Sequence, residues 1–372
     1  MLLDRLQKGY SEQSMLITGL RGVGKTVLLG AFEERARGQE WTTIEAEITK
    51  NAEFGPRMAQ LVRRALLQVA PKARWKERGR RAAAILKSFQ MAVSMQGELS
   101  FGLDVEALEG IADSGNLSED LTDVLVALGE AAQEQRSGVV FLFDEVQFLT
   151  TRELEALIAA LHKTVQRRLP ITLVGAGLPQ LPRLAGEAKS YAERLFHFPT
   201  IGRLSDEDAA DAVTRPAAPL GVSFTDDAVA AIVDYTQGYP YFLQEYGKLV
   251  WDYAPQTRIT RDHVLESQDA VEAKLDSSFF RVRADRVTEL ELQYMRAMAE
   301  LGPEPQVAKD VAKLMGRTSE QLGPTRSRLI EKGLLYTPAH GLAAFTVPQF
   351  DRYMKRAHVL DVPPPRGKSK RR

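Results

Sequence analysis

The sequence predicts an α/β protein built on a parallel five-stranded sheet, followed by an all-helical block and a third block of helices and short strands. Three observations predict it. Short apolar runs alternate with helical periodicity up to Ile201, the strand signal stops there, and from Val287 helices give way to a strand pair around a Pro/Gly turn. With 372 residues the chain has room for two or three domains.

The first strand is read over 14–20, an apolar run that ends in glycines, and four more over 41–48, 138–143, 171–175 and 195–201. Helices are read between them over 56–69, 117–135 and 151–165. Residues 71–115 break the rhythm. They are basic at first (Arg74, Lys76, Arg78, Arg80, Arg81) and are read as an insertion whose charge is either a solvated helix face or a binding surface. Helices over 205–214, 226–236, 241–253 and 260–280 form the second block, with start signals at Ser205 and Thr225. The third block has helices over 290–301 and 307–315, a helix starting at Gly323-Pro324, and strands over 334–336 and 344–347. That is the order of a winged helix. The domain boundaries are 1–203, with the insertion at about 71–115, then 204–284, 285–360, and a basic tail over 361–372 read as disordered.

Composition excludes several chemistries. Lys plus Arg equals Asp plus Glu at 49 each, so net charge points to no polyanionic or membrane partner. The chain has no cysteine and five scattered histidines, which removes thiolate chemistry and argues against zinc. No apolar run approaches the roughly 18 residues that span a bilayer, and the N-terminus lacks an apolar signal core. The reading is cytoplasmic.

Gly19-Leu20-Arg21-Gly22-Val23-Gly24-Lys25-Thr26 matches G-x-x-x-x-G-K-[ST] in full, between an apolar strand and a helix that continues into Val27. Glycines let backbone N–H groups curl around phosphates, and the helix N-terminus favours anions. In such a loop Lys25 reaches the β- and γ-phosphates and the Thr26 hydroxyl ligates magnesium. The ligand implied is ATP with Mg²⁺. The run 139–145 places a strand, expected beside the P-loop strand, that ends in Asp144 and Glu145. Asp144 suits water-mediated magnesium binding. Glu145 suits orienting the attacking water, which implies a slow or partner-stimulated ATPase.

These residues resemble the AAA+ and STAND-type P-loop ATPases, and more closely the bacterial Orc/Cdc6-like ATPases, over nearly the whole chain. The narrower likeness rests on 173–179, 191–196 and 238–244. It implies a P-loop ATPase core, a helical lid and a C-terminal winged helix. It implies that Arg194 is either an arginine finger toward a neighbouring subunit or a surface arginine at a helix end. It also implies that Gly238-Tyr239-Pro240 contacts the nucleotide from the lid; the same residues read equally as a helix start with Pro at N1. The chain departs from the pattern twice. The strand over 171–175 lacks a terminal polar sensor, and Met1-Leu2-Leu3-Asp4 lies close to the first helix, which leaves the adenine pocket open to question.

The third helix of a winged helix enters the major groove. Here Arg317, Arg326, Arg328 and Lys332 are the candidate contacts to double-stranded DNA, although Glu320 and Glu331 dilute their charge. Three functions follow: an ATP-controlled DNA-binding switch, a STAND-like signalling ATPase whose winged helix docks a protein partner, and a ring-forming homo-oligomeric remodelling ATPase.

Overall fold

The computed structural model describes residues 2–50, 53–93, 105–254 and 257–361. They divide into two compact units. The first holds the residues up to Thr18 and Lys25–Thr200; the second holds Gly19–Gly24 and the chain from Ile201 onward. The tail beyond 361, expected to be disordered, lies outside the described residues.

The first unit runs α1 (Leu2–Gln7), β1 (Ser14–Thr18), α2 (Lys25–Arg37), β2 (Thr42–Glu47), α3 (Phe54–Val69), α4 (Glu77–Val93), α5 (Leu117–Glu134), β3 (Val139–Asp144), α6 (Thr151–Gln166), β4 (Ile171–Gly177), α7 (Leu181–Ala188), α8 (Ala192–Leu195) and β5 (Phe196–His197). The strands form one parallel sheet in the order β2-β3-β4-β1-β5. The five apolar residues of β3 are all buried, as a strand covered by helices on both faces requires. One expectation is corrected. The strand ending in Asp144 is not beside β1, because β4 lies between them. Helix α2 packs on both β3 and β4, and that carries its N-terminus across to the end of β3.

The segment read as an insertion is not set apart from the core. Ala82, Ala83, Ile85, Leu86 and Phe89 of α4 are buried, and the helix packs on α3 and α5. Each large side chain among them contributes about 1.5–3 kcal/mol of burial. Arg78, Arg80 and Arg81 lie on its exposed side, and Arg78 donates to Gln133 at 3.3 Å. This is the solvated helix face. The alternating charge hid the apolar stripe beneath it.

The second unit contains α9 (Asp206–Ala217), β6 (Ser223–Phe224), α10 (Asp226–Thr236), α11 (Pro240–Tyr253), β7 (Arg258–Ile259), α12 (Arg261–Leu275), a π-turn (Asp276–Phe280), α13 (Arg281–Ala284), α14 (Glu289–Leu301), β8 (Gln306–Val307), α15 (Ala308–Leu314), α16 (Ser319–Glu331), β9 (Leu335–Tyr336), β10 (Leu342–Phe345) and α17 (Phe350–Ala357). One core runs through all of it. Phe280 of the π-turn stacks on Tyr353 of α17 at 5.2 Å between ring centroids, and Phe279 meets Phe242 of α11 edge-on at 5.5 Å. The expected boundary at 284/285 therefore crosses a shared hydrophobic cluster. The C-terminal block adds a strand to the expected pair, giving the antiparallel order β8-β10-β9.

Helix α16 starts earlier than Gly323-Pro324. Thr318 caps it, accepting from the Gln321 N–H while the Gln321 side chain accepts from the Thr318 N–H. Pro324 sits inside the helix, where it forgoes one backbone hydrogen bond. The capping box outweighs the proline.

Candidate nucleotide-binding site

Strand β1 ends at Thr18, and the loop that follows turns on two glycines in the left-handed region, Gly22 at φ 82° and Gly24 at φ 91°. Nothing lies within 4 Å of where a Cβ would stand at Gly24, so that side of the loop is open. Lys25 is buried in the first turn of α2; Thr26 is exposed, as is Val27. Within the second unit, the Gly22 carbonyl accepts from the Tyr241 N–H at 3.1 Å, and the Arg21 N–H donates to the Thr346 carbonyl at 2.9 Å. Tyr239 is the N-cap of α11 and Pro240 its first residue. The Gly-Tyr-Pro segment thus stands one residue from a contact with the loop.

In the first unit the Thr26 hydroxyl donates to Asp144 Oδ2 at 2.5 Å. The other oxygen of Asp144 accepts the Glu145 N–H at 2.8 Å. Glu145 holds a left-handed backbone at φ 55°, ψ 36°, which is uncommon for a residue other than glycine. Its carboxylate accepts from the side-chain amide of Gln147.

Sequence reasoning missed Gln147. Its Oε1 accepts the Leu178 N–H at 3.0 Å, just past the end of β4. A Cβ at Gly177 would stand 2.6 Å from that same oxygen, so the glycine makes the room Gln147 occupies. The strand that lacks a terminal polar residue of its own receives a polar side chain from the turn after β3. Only the glycines in the strand hint at this in the sequence.

Arg194 is exposed in the last turn of α8, directly before β5, and its carbonyl accepts from Gln13 at 3.0 Å. The position suits either reading of it.

The basic residues of the C-terminal block divide. Arg328 Nε and Lys332 Nζ donate to the two oxygens of Glu291, at 2.9 and 2.6 Å, and Glu291 is fully buried at the start of α14. Glu291 also accepts the Thr288 N–H at 2.8 Å in a capping box. Burial pushes this carboxyl upward, but the bonds from Lys332, the Thr288 N–H and Arg328 outweigh it and hold it at about 2. Arg326 is half-buried, and the buried Nε of Arg317 finds no protein acceptor. Two of the four candidate DNA contacts are therefore bonded to a buried carboxylate while remaining partly exposed. The Thr288-x-x-Glu291 capping signal was readable in the sequence; its second use was not.

Residues 1–174 match the family described as AAA ATPase domain. Residues 277–354 match a domain of unknown function, DUF8462. No curated protein matches the chain. Among solved structures the chain is similar to the RuvB Holliday junction branch migration motor of Thermotoga maritima, with 16% identity over 95% of this chain and 91% of that one and a TM-score of 0.43. It is similar to the Orc1 protein of Aeropyrum pernix solved in complex with DNA, with 15% identity over 95% and 89% and a TM-score of 0.43. It is also similar to Cdc6p of Pyrobaculum aerophilum, with 14% identity over 96% and 92% and a TM-score of 0.45. No helix among the described residues is long and apolar enough to cross a membrane.

Proposed function

We propose that this AAA ATPase domain binds ATP with Mg²⁺, hydrolyses it, and uses the bound state to control duplex DNA binding by a C-terminal winged helix. The observation that carries the nucleotide reading is the 2.5 Å contact between Thr26, at the start of the helix after the glycine loop, and Asp144. Thr26 and Asp144, a hydroxyl beside a carboxylate, would hold Mg²⁺, a cation that takes oxygen donors. When bound, the metal would supply charge neutralisation to the phosphates. Lys25 contacts those same phosphates, and the N–H groups of residues 22–26 line the loop.

Glu145 orients the attacking water. Its backbone is tied to Asp144 and its carboxylate to Gln147, so the base is held before substrate arrives. Arg194, exposed ahead of β5, is assigned to the γ-phosphate of a neighbouring copy. Tyr239 and Pro240 hold the nucleotide from the lid side, next to the Tyr241–Gly22 contact. In the C-terminal block α16 is the helix offered to DNA, with Arg326 and Arg317 supported by the exposed parts of Arg328 and Lys332.

A second reading draws on a specific observation. Because Arg328 and Lys332 neutralise Glu291, the face of α16 carries less free charge than its sequence suggests, and this favours docking of a protein partner. A titration of labelled duplex DNA at low and moderate salt, with and without ATP–Mg²⁺, separates the two. Binding that strengthens with ATP and weakens with salt supports the DNA switch. No binding in any state, with nucleotide still bound, transfers the proposal to the signalling ATPase.

A further inference from the structure

We propose a second phosphate site in this protein: a cleft of about 350 Å³ within the second unit that takes a phosphoryl group on Arg21, Arg283, Arg286 and Lys332. The four cations come from three distant stretches of sequence: the glycine loop, the end of α13 with the turn after it, and the end of α16. No carboxylate lines the cleft among the described residues. Glu291 holds Lys332 but shares its charge with Arg328. The Ser278 hydroxyl at the rim donates to the Lys274 carbonyl at 2.7 Å, so charge rather than hydroxyl donation does the recognising.

The cleft is organised in advance. The Arg283 guanidinium lies 4.1 Å from the centre of the Phe279 ring and donates to the Phe279 carbonyl. Phe279 stacks on Tyr241 at 4.4 Å, and Tyr241 in turn donates its N–H to Gly22. Gly333 has φ 70°, and a Cβ there would stand 3.0 Å from Arg21 Nη2. The absent side chain lets the Arg21 guanidinium lie against the backbone. Burial lowers the pKa of Arg283, and the charges of Arg21 and Arg286 lower it further. A phosphate relieves that repulsion and matches the planar donor fork of a guanidinium. Of the phosphate-loop residues Arg21 lines the cleft, whereas Lys25 and Thr26 do not. Two sources share this chemistry, a small polyphosphate and the phosphodiester backbone of nucleic acid. Either would touch the glycine loop and the end of α16 together.

The test is calorimetric titration of the full chain with pyrophosphate in the presence of excess ADP–Mg²⁺. The expected result is one salt-sensitive binding event that Arg283→Gln and Arg286→Gln each weaken by about tenfold, the loss of one charged hydrogen bond. Lys25→Ala should leave that event in place, which separates this site from the nucleotide reading. Arg286 is exposed, so its variant should fold normally, and it decides the matter alone if Arg283→Gln does not fold. Displacement of pyrophosphate by a short duplex assigns the site to the nucleic-acid backbone; persistence assigns it to a small ligand. No event, or an event unchanged by both arginine variants, overturns the site.

Discussion

The acidic end of β3 and the basic face of α16 were both read as ligand-facing charge, and the structure treats them differently. At β3, Asp144 meets Thr26 and Glu145 meets Gln147. On α16, Arg328 and Lys332 both bond to a buried Glu291 that lies 37 and 41 residues away in sequence. Phosphate chemistry fixes the loop by spacing within eight residues, so its residues declare themselves. A basic residue on a helix has no such constraint, and its partner can come from anywhere in the core.

The largest effects should come from the first region. Lys25→Ala should abolish nucleotide binding, as followed with a fluorescent ATP analogue. Glu145→Gln should keep that binding while steady-state hydrolysis falls by about a hundredfold or more. Normal hydrolysis in Glu145→Gln would falsify the assignment of the base. Gln147→Ala should be milder. About a tenfold drop in kcat with unchanged nucleotide affinity is expected if Gln147 only holds Glu145 in place. A matching loss of affinity would instead make Gln147 part of the binding surface.

The second region gives a stability effect. Arg328→Ala with Lys332→Ala leaves a buried carboxylate with only the Thr288 N–H, and should cost about 3 kcal/mol in urea unfolding. Adding Glu291→Met should recover most of it, because an apolar group can replace a buried ion cluster at little cost. The triple variant then sharpens the comparison. Wild-type DNA affinity in it would mean that Arg328 and Lys332 serve the fold alone.

Glu291 also sets an acid limit. Its folded pKa of about 2 lies below its ordinary 4.5, so the stabilisation is fully present above pH 4.5 and is lost as pH falls from there toward about 2. The loss should reach about 2 kcal/mol, discounted because the partner cations are partly exposed. Glu291→Gln should flatten this part of the stability profile. An unchanged slope would show that other carboxylates govern acid unfolding.

Much of the fold was legible because buried parallel strands are apolar on both faces and helices keep their period. Strand order was not. Nothing local in β3 or β4 says that β4 separates β3 from β1, since order is set by which helices cross which face. Helix α4 was obscured by Arg78, Arg80 and Arg81, whose charges dominate the segment although its other side is core. The two-residue strand β8 carries too few residues for a period. In the site, spacing exposed Lys25, Thr26 and Asp144. Gln147 escaped because its role depends on a missing side chain at Gly177, thirty residues on, across the sheet.

The smallest expected effect tests what remains of the DNA reading. Arg326 has no part in the Glu291 cluster, so its removal should perturb binding without perturbing the fold. Arg326→Ala should weaken duplex affinity by about 1 kcal/mol at low salt. If Arg326 meets a phosphate, the slope of log affinity against log salt should fall by about one and the loss should be equal on all sequences. If it meets a base edge, the slope should hold and the loss should concentrate at one position of the site. An Arg326→Ala protein that binds DNA as the parent does would leave α16 without a free reading residue, and would favour the protein partner.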